Sequence, residues 1–254
     1  MGITQMLGVL AVVFFAAMTL MCLFRDHLNN PVLNPLFLCA CVLLFFCWNY
    51  AMFEHNGLKK GFMTLDNISP YICTIIPITP FLNKQVKNFA YSAIACLAFG
   101  MFVALFISAE VEHLVNHHQT AKFLHASEAA CHLIMSLYGF YLILARKVKL
   151  EWKTYGKALI FIYGTITFGI VLNWFFKKGN FGMDMHGDYS IYFMDLFDSF
   201  EATLLAYLAG VFITITLGFL VGIGLDRFCH PPKKKCPEEE KPNASQTIEK
   251  QLDS

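Results

Sequence analysis

Apolar residues gather along this chain in seven runs, at 3–24, 33–53, 68–83, 89–109, 126–145, 158–176 and 202–225. A helix that crosses about 30 Å of hydrocarbon needs roughly 20 residues, and six of the runs have 19 to 24. These six are expected to be membrane-spanning helices. The remaining run, 68–83, has 16 residues and carries Pro70, Pro77 and Pro80. It either spans as a broken helix or turns back on itself. Non-helical backbone at membrane depth persists only inside protein or beside a water-filled cavity, so both choices put this segment within the bundle. The expected architecture is an all-α polytopic bundle of about seven transmembrane helices over 1–226, followed by a polar tail, 227–254. In that tail Lys233, Lys234 and Lys235 stand beside Glu238, Glu239 and Glu240, a mixed-charge composition that predicts disorder.

Lysine and arginine concentrate on the cytoplasmic side of a membrane protein. With seven crossings, Lys59, Lys60, Lys122, Lys177 and Lys178 lie on one side and the other 14 of 19 basic residues on the opposite one. The N-terminus is then outside and the C-terminus cytoplasmic. If 68–83 does not cross, the split becomes 15 to 4, so charge does not separate the two arrangements. Both place the Arg146–Lys157 loop and the tail inside, and both place the segments 110–125 and 177–201 outside.

Composition supports this picture. The mean hydropathy is +0.53, and 57% of the 254 residues are hydrophobic while 15% are charged, against roughly 25% charged in soluble domains. A net charge of +1 supplies no basic footprint, which excludes a nucleic-acid partner and leaves membrane lipids as the expected one. The expected location is a membrane, the plasma membrane in a bacterium. The first run is expected to stay as an anchor, since it has no basic n-region and ends at Phe24-Arg25 without a small-residue cleavage site. Met6 stands where N-myristoylation needs Ser or Thr. Seven cysteines, Cys22, Cys39, Cys41, Cys47, Cys73, Cys96 and Cys131, fall within apolar runs, where a free thiol behaves as a small hydrophobe. Cys229, beside the basic tail, is a candidate for palmitoylation.

Ionisable groups inside a span are costly and mark candidate sites. His125, Glu128, His132 and Ser136 follow i, i+3, i+7, i+11 and form one stripe on one helix face, which must line the bundle interior. His132 lies roughly 9 Å below residue 126, and Glu128, one turn above, is placed to accept the imidazole proton and fix its tautomer. If 68–83 crosses from outside, Cys73 lies about 8 Å below its start. Asn173, three residues from the outer end of its run, shares that level. A thiol beside an imidazole yields a thiolate nucleophile with the imidazole as base; Thr74 is the nearest hydroxyl alternative. The same residues would serve equally as interhelical hydrogen-bond glue. In the outer segment, Glu110, His113 and His117 sit at i, i+3, i+7, and with His125 they offer a zinc set, which a solvated polar face would also explain. The stretch 193–200, with its alternating acidic and aromatic residues, has the look of an interfacial lid.

Several short motifs resemble the YwaF-type family of integral membrane proteins, which is distantly similar to membrane enzymes that move fatty acyl groups with a Cys–His or Thr–His pair. Ser69-Pro70-Tyr71-Ile72-Cys73 resembles the family's Pro-x-His-x-Cys, with Tyr71 in place of the His and the Pro shifted by one. His132 followed by Tyr138-Gly139-Phe140-Tyr141-Leu142, the basic loop around Trp152, and Asn173 followed by Gly179-Asn180-Phe181 are similar to further elements of it. The resemblance covers about residues 60–200. It implies a polytopic helical fold and lipid acyl transfer or ester hydrolysis, with Cys73 as nucleophile, His132 as base, Glu128 orienting it and Asn173 as oxyanion donor. No cofactor is expected. Two other functions fit the same residues: a metal-dependent membrane hydrolase, and a transporter or small-ligand binding protein with a midplane site at the Pro-interrupted helix.

Overall fold

A computed structural model describes residues 3–56, 68–115, 122–176 and 200–231; the side chains at 3, 4, 6, 52–56, 68, 70, 71, 104–115, 122–125, 172–176, 200 and 203 lie outside that description. All regular structure among the described residues is helical. The helices are α1 (Ile3–Leu23), α2 (Leu33–Asn56), α3 (Ile68–Ile78), α4 (Lys84–Val115), α5 (Lys122–Leu144), α6 (Trp152–Phe176) and α7 (Phe200–Cys229), with 3-10 turns at Arg25–His27 and Thr79–Phe81. Five stretches are long and apolar enough to cross a membrane: Leu33–Ala51, Lys84–Val103, Ala126–Leu144, Trp152–Val171 and Leu204–Cys229. Leu7–Leu23 and Ile72–Phe81 are shorter apolar helices. Large apolar side chains such as Val12, Phe15, Leu43, Phe46 and Leu205 stand exposed on the outer surface, as in a protein solvated by lipid. Of the expected tail, 227–254, residues 227–229 continue the last helix and the part from 232 onward lies outside the described residues, as does the expected lid at 193–199.

The prolines of 68–83 act as their chemistry dictates. Pro77 sits inside α3 and removes the N–H that would bond the carbonyl four residues back, at Cys73. Pro80 does the same to the carbonyl of Ile76, and there the Thr79 hydroxyl takes over, donating to Ile76 O at 2.7 Å. The helix therefore ends at Ile78 and passes into the Thr79–Phe81 turn.

The bundle is built around α5. Buried positions make up 78% of its Ala126–Leu144 stretch, against 11% for α2 and 22% for α7. Helices α1, α2, α3, α4 and α7 all contact it. The outer helices bury narrow stripes instead: Leu7, Phe14 and Met21 on α1, and Cys41, Trp48 and Ala51 on α2. Without a hydrophobic drive between helices in lipid, close backbone approach holds such bundles together. Gly139 on α5 allows it, because a Cβ there would stand 2.7 Å from Ile94 O and 2.6 Å from Ala98 Cβ of α4. Gly218 of α7 lies against α4 more tightly still, with a Cβ reaching 1.8 Å from Cys96 O.

Helices successive in the chain alternate in direction where contacts fix it. On α2, Trp48 lies beside His132 and Asn34 beside Tyr138, so α2 runs opposite to α5. Ser69 of α3 meets His132 and Thr79, in the turn that follows α3, meets Tyr138, so α3 runs with α5. Tyr155 meets Thr216 and Tyr163 meets Leu208, which sets α6 against α7.

Candidate functional site

His132 is a polar group buried in the core of the bundle. It is 3% exposed, and both ring nitrogens have partners. Nδ1 lies 3.0 Å from the main-chain carbonyl oxygen of Glu128, and Nε2 lies 2.8 Å from Ser69 Oγ on α3. A carbonyl only accepts, so Nδ1 carries the hydrogen in the neutral ring and the Nε2 lone pair accepts from the Ser69 hydroxyl. Ser69 Oγ also lies 3.8 Å from Met101 Sδ of α4. When Nε2 takes a proton, Ser69 becomes its acceptor and the thioether remains within reach of the hydroxyl hydrogen. The expected partner of the imidazole was the Glu128 carboxylate; the atom found on Nδ1 is the carbonyl of the same residue, because in a helix the side chain at i leans back onto the turn of i−4.

Cys73 lies one turn beyond Ser69 on the same face of α3 and is buried. Its thiol lies close to that of Cys131, the residue before His132, and Cys41 of α2 adjoins both. Three helices thus bring three thiols together just beneath the Ser69–His132 pair. The structure gathers Cys73, His132 and Glu128 in one region, with Ser69 rather than Cys73 bonded to the imidazole. Asn173 lies on α6, His113 on α4, His125 on α5 and His117 between those last two helices; the side chains of all four lie outside the described residues. Among the described residues no group of three or more His, Cys, Asp or Glu is placed to hold a metal ion.

Trp48 completes the surroundings. Its ring centre lies 6.0 Å from that of His132 with the planes at 50°, and it is 6% exposed. The indole Nε1 is buried with no hydrogen-bond partner, a condition that costs about 1–3 kcal/mol in a folded protein. Ser136, one turn along α5 from His132, donates to Ala98 O at 2.6 Å and pins α5 to α4. A second polar group lies toward the other end of α5, where Tyr138 donates to Asn34 Oδ1 at 3.1 Å and contacts Tyr91 and Thr79.

Ser69 and Trp48 were not singled out from sequence. Their partner His132 is 63 and 84 residues away in the chain, and only the packing of α2 and α3 on α5 brings them to it. The one available signal was the i, i+4 spacing of Ser69 and Cys73. No protein-family model, curated protein or solved structure matches this chain.

Proposed function

We propose that the protein is an integral membrane enzyme that transfers or hydrolyses the fatty acyl group of a lipid ester at the Ser69–His132 pair. The observation that carries the reading is the 2.8 Å contact between Ser69 Oγ and His132 Nε2, on a ring whose Nδ1 is committed to a carbonyl. A hydroxyl facing the lone pair of a held imidazole is the arrangement of an activated nucleophile. Ser69 Oγ attacks the ester carbonyl, Nε2 takes the hydroxyl proton, and the bond to the lipid alcohol breaks as Nε2 returns that proton to the departing oxygen. Water or the hydroxyl of a lyso-lipid then attacks the acyl-serine, gives its proton to Nε2, and Nε2 restores it to Ser69. The Glu128 carbonyl holds the tautomer throughout.

In this reading all seven helices cross, the N-terminus is outside and the C-terminus is cytoplasmic, with the site in the outer half. The alternating helix directions and the split of basic residues support it. The depth of the pair among apolar helices favours a lipid over a water-soluble ester. The likeness to the YwaF-type family points the same way, although it would place the acyl group on Cys73.

Intact mass of the detergent-purified protein after incubation with mixed phospholipids tests the proposal. The parent and Cys73→Ser should carry an acyl adduct that neutral hydroxylamine leaves in place and alkaline hydroxylamine removes, as for an oxygen ester. Ser69→Ala and His132→Ala should carry none. An adduct released at neutral pH and lost in Cys73→Ser would move the nucleophile to Cys73. No adduct on any folded form would overturn acyl transfer in favour of a transporter.

A further inference from the structure

We infer that the indole N–H of Trp48 is the hydrogen-bond donor to the acyl carbonyl oxygen of an ester held at Ser69, and to the oxyanion that forms there. This rests on the acyl-transfer reading above and adds the group that reaction needs opposite its nucleophile. Attack at a carbonyl puts negative charge on its oxygen, and donors preorganised toward that charge supply a large share of the rate.

Trp48 meets each requirement. It lies on the only stripe that α2 buries in its described stretch, between Cys41 and Ala51, so its ring faces α5 rather than lipid. The ring stands 6.0 Å, centre to centre, from the imidazole that holds Ser69. An indole nitrogen donates and never accepts, and this one is buried with its hydrogen unclaimed. Buried N–H groups without an acceptor are rare in folded proteins, and each calls for a ligand or water to complete it. Tyr141 Oη shares this condition among the described residues, yet it belongs with Tyr138 and Tyr91 toward the far end of α5. Trp48 Nε1 is therefore the unclaimed donor on the Ser69–His132 side, and the chemical class it selects is an uncharged carbonyl acceptor, a carboxylic ester.

The test uses a long-chain alkyl fluorophosphonate. Ser69 Oγ would displace fluoride from phosphorus, leaving a phosphoryl oxygen where the oxyanion develops. With the indole nitrogens of the three tryptophans 15N-labelled and the Trp48 signal assigned by Trp48→Phe, labelling at Ser69 should move the Trp48 Nε1–H resonance downfield and leave the other two in place. Trp48→Phe keeps an aromatic ring and removes the N–H; its kcat should fall on the order of 10²–10³-fold with KM little changed. Should that variant fail to fold, Trp152→Phe and Trp174→Phe assign the other two signals, and the resonance shift in the parent decides. Ser69 labelled with an unmoved Trp48 signal would overturn the role of Trp48 and leave acyl transfer standing. No labelling at Ser69 would overturn acyl transfer and the role of Trp48 together.

Discussion

Ser69 Oγ and His132 Nε2 stand 2.8 Å apart although 63 residues separate them in the chain. The contact joins the first turn of the Pro-interrupted α3 to the middle of the central α5, so one hydrogen bond serves both the site and the seating of α3. Ser69→Ala should separate the two roles. Loss of a hydrogen bond of this kind lowers stability by about 1 kcal/mol, a modest shift in thermal unfolding of the detergent-solubilised protein. Acyl transfer should disappear altogether. A variant that unfolds only slightly earlier yet retains full turnover would show the contact to be structural.

Close backbone packing makes a second prediction. Gly218→Ala places a methyl 1.8 Å from Cys96 O, a main-chain atom that cannot swing away, so α4 and α7 must part. The overpacking cost should be at least 1–3 kcal/mol. Gly164→Ala on α6 meets nothing within 4 Å and should be neutral or stabilising by up to about 1 kcal/mol through helix propensity. Melting temperatures of the two variants, run side by side, check the contrast; equal temperatures would contradict the α4–α7 contact.

Arg146 carries a third. Its φ is +53°, in the left-handed region, and the bonds from Lys147 N to Leu142 O at 2.9 Å and from Arg146 N to Ile143 O at 3.0 Å close α5 as a Schellman cap. A side chain in this conformation costs roughly 1–2 kcal/mol, and a β-branched one costs more. Arg146→Gly should match or exceed the parent in thermal stability, whereas Arg146→Val should fall below it.

Different parts of this molecule were legible to different depths. The proline spacing of 68–83 signalled a broken helix, and Pro77 and Pro80 do end α3 at Ile78, because a missing N–H is a property of the residue itself. The polar stripe of α5 pointed to the interior, and His132 and Ser136 are buried there; a helical period needs no partner to be read. The run 3–24 was expected to form one long helix, and α1 covers Ile3–Leu23. What stayed hidden depends on contacts between helices. Glu128 acts on His132 through its carbonyl, an atom that every residue has. Ser69 and Trp48 owe their places to the rotation of α3 and α2 about their axes, which residue types in a nearly uniform apolar run do not encode.

The short loop between α5 and α6 supplies a pH and salt prediction with a definite sign. Lys149 and Glu151 form an ion pair there, and their hydrogen bond and mutual attraction hold the Glu151 carboxyl below its ordinary range and the Lys149 ammonium above its own. A lowered carboxyl stabilises the fold above the unfolded value near 4.3, and that contribution fades as pH falls through the folded value. A raised ammonium stabilises below the unfolded value near 10.4, and its contribution fades as pH rises through the folded one. Between these limits the effect of the pair should be flat. Both groups are open to solvent, so the effect is small and screened by salt. Glu151→Gln keeps the main-chain carbonyl that accepts from Thr154 N at 2.8 Å and Tyr155 N at 3.1 Å, which leaves the start of α6 capped. Its melting temperature should lie slightly below the parent at neutral pH and low salt, and should converge with it both in molar salt and as pH falls through the folded carboxyl value. A difference that survives high salt would mean that Glu151 acts by something other than its charge.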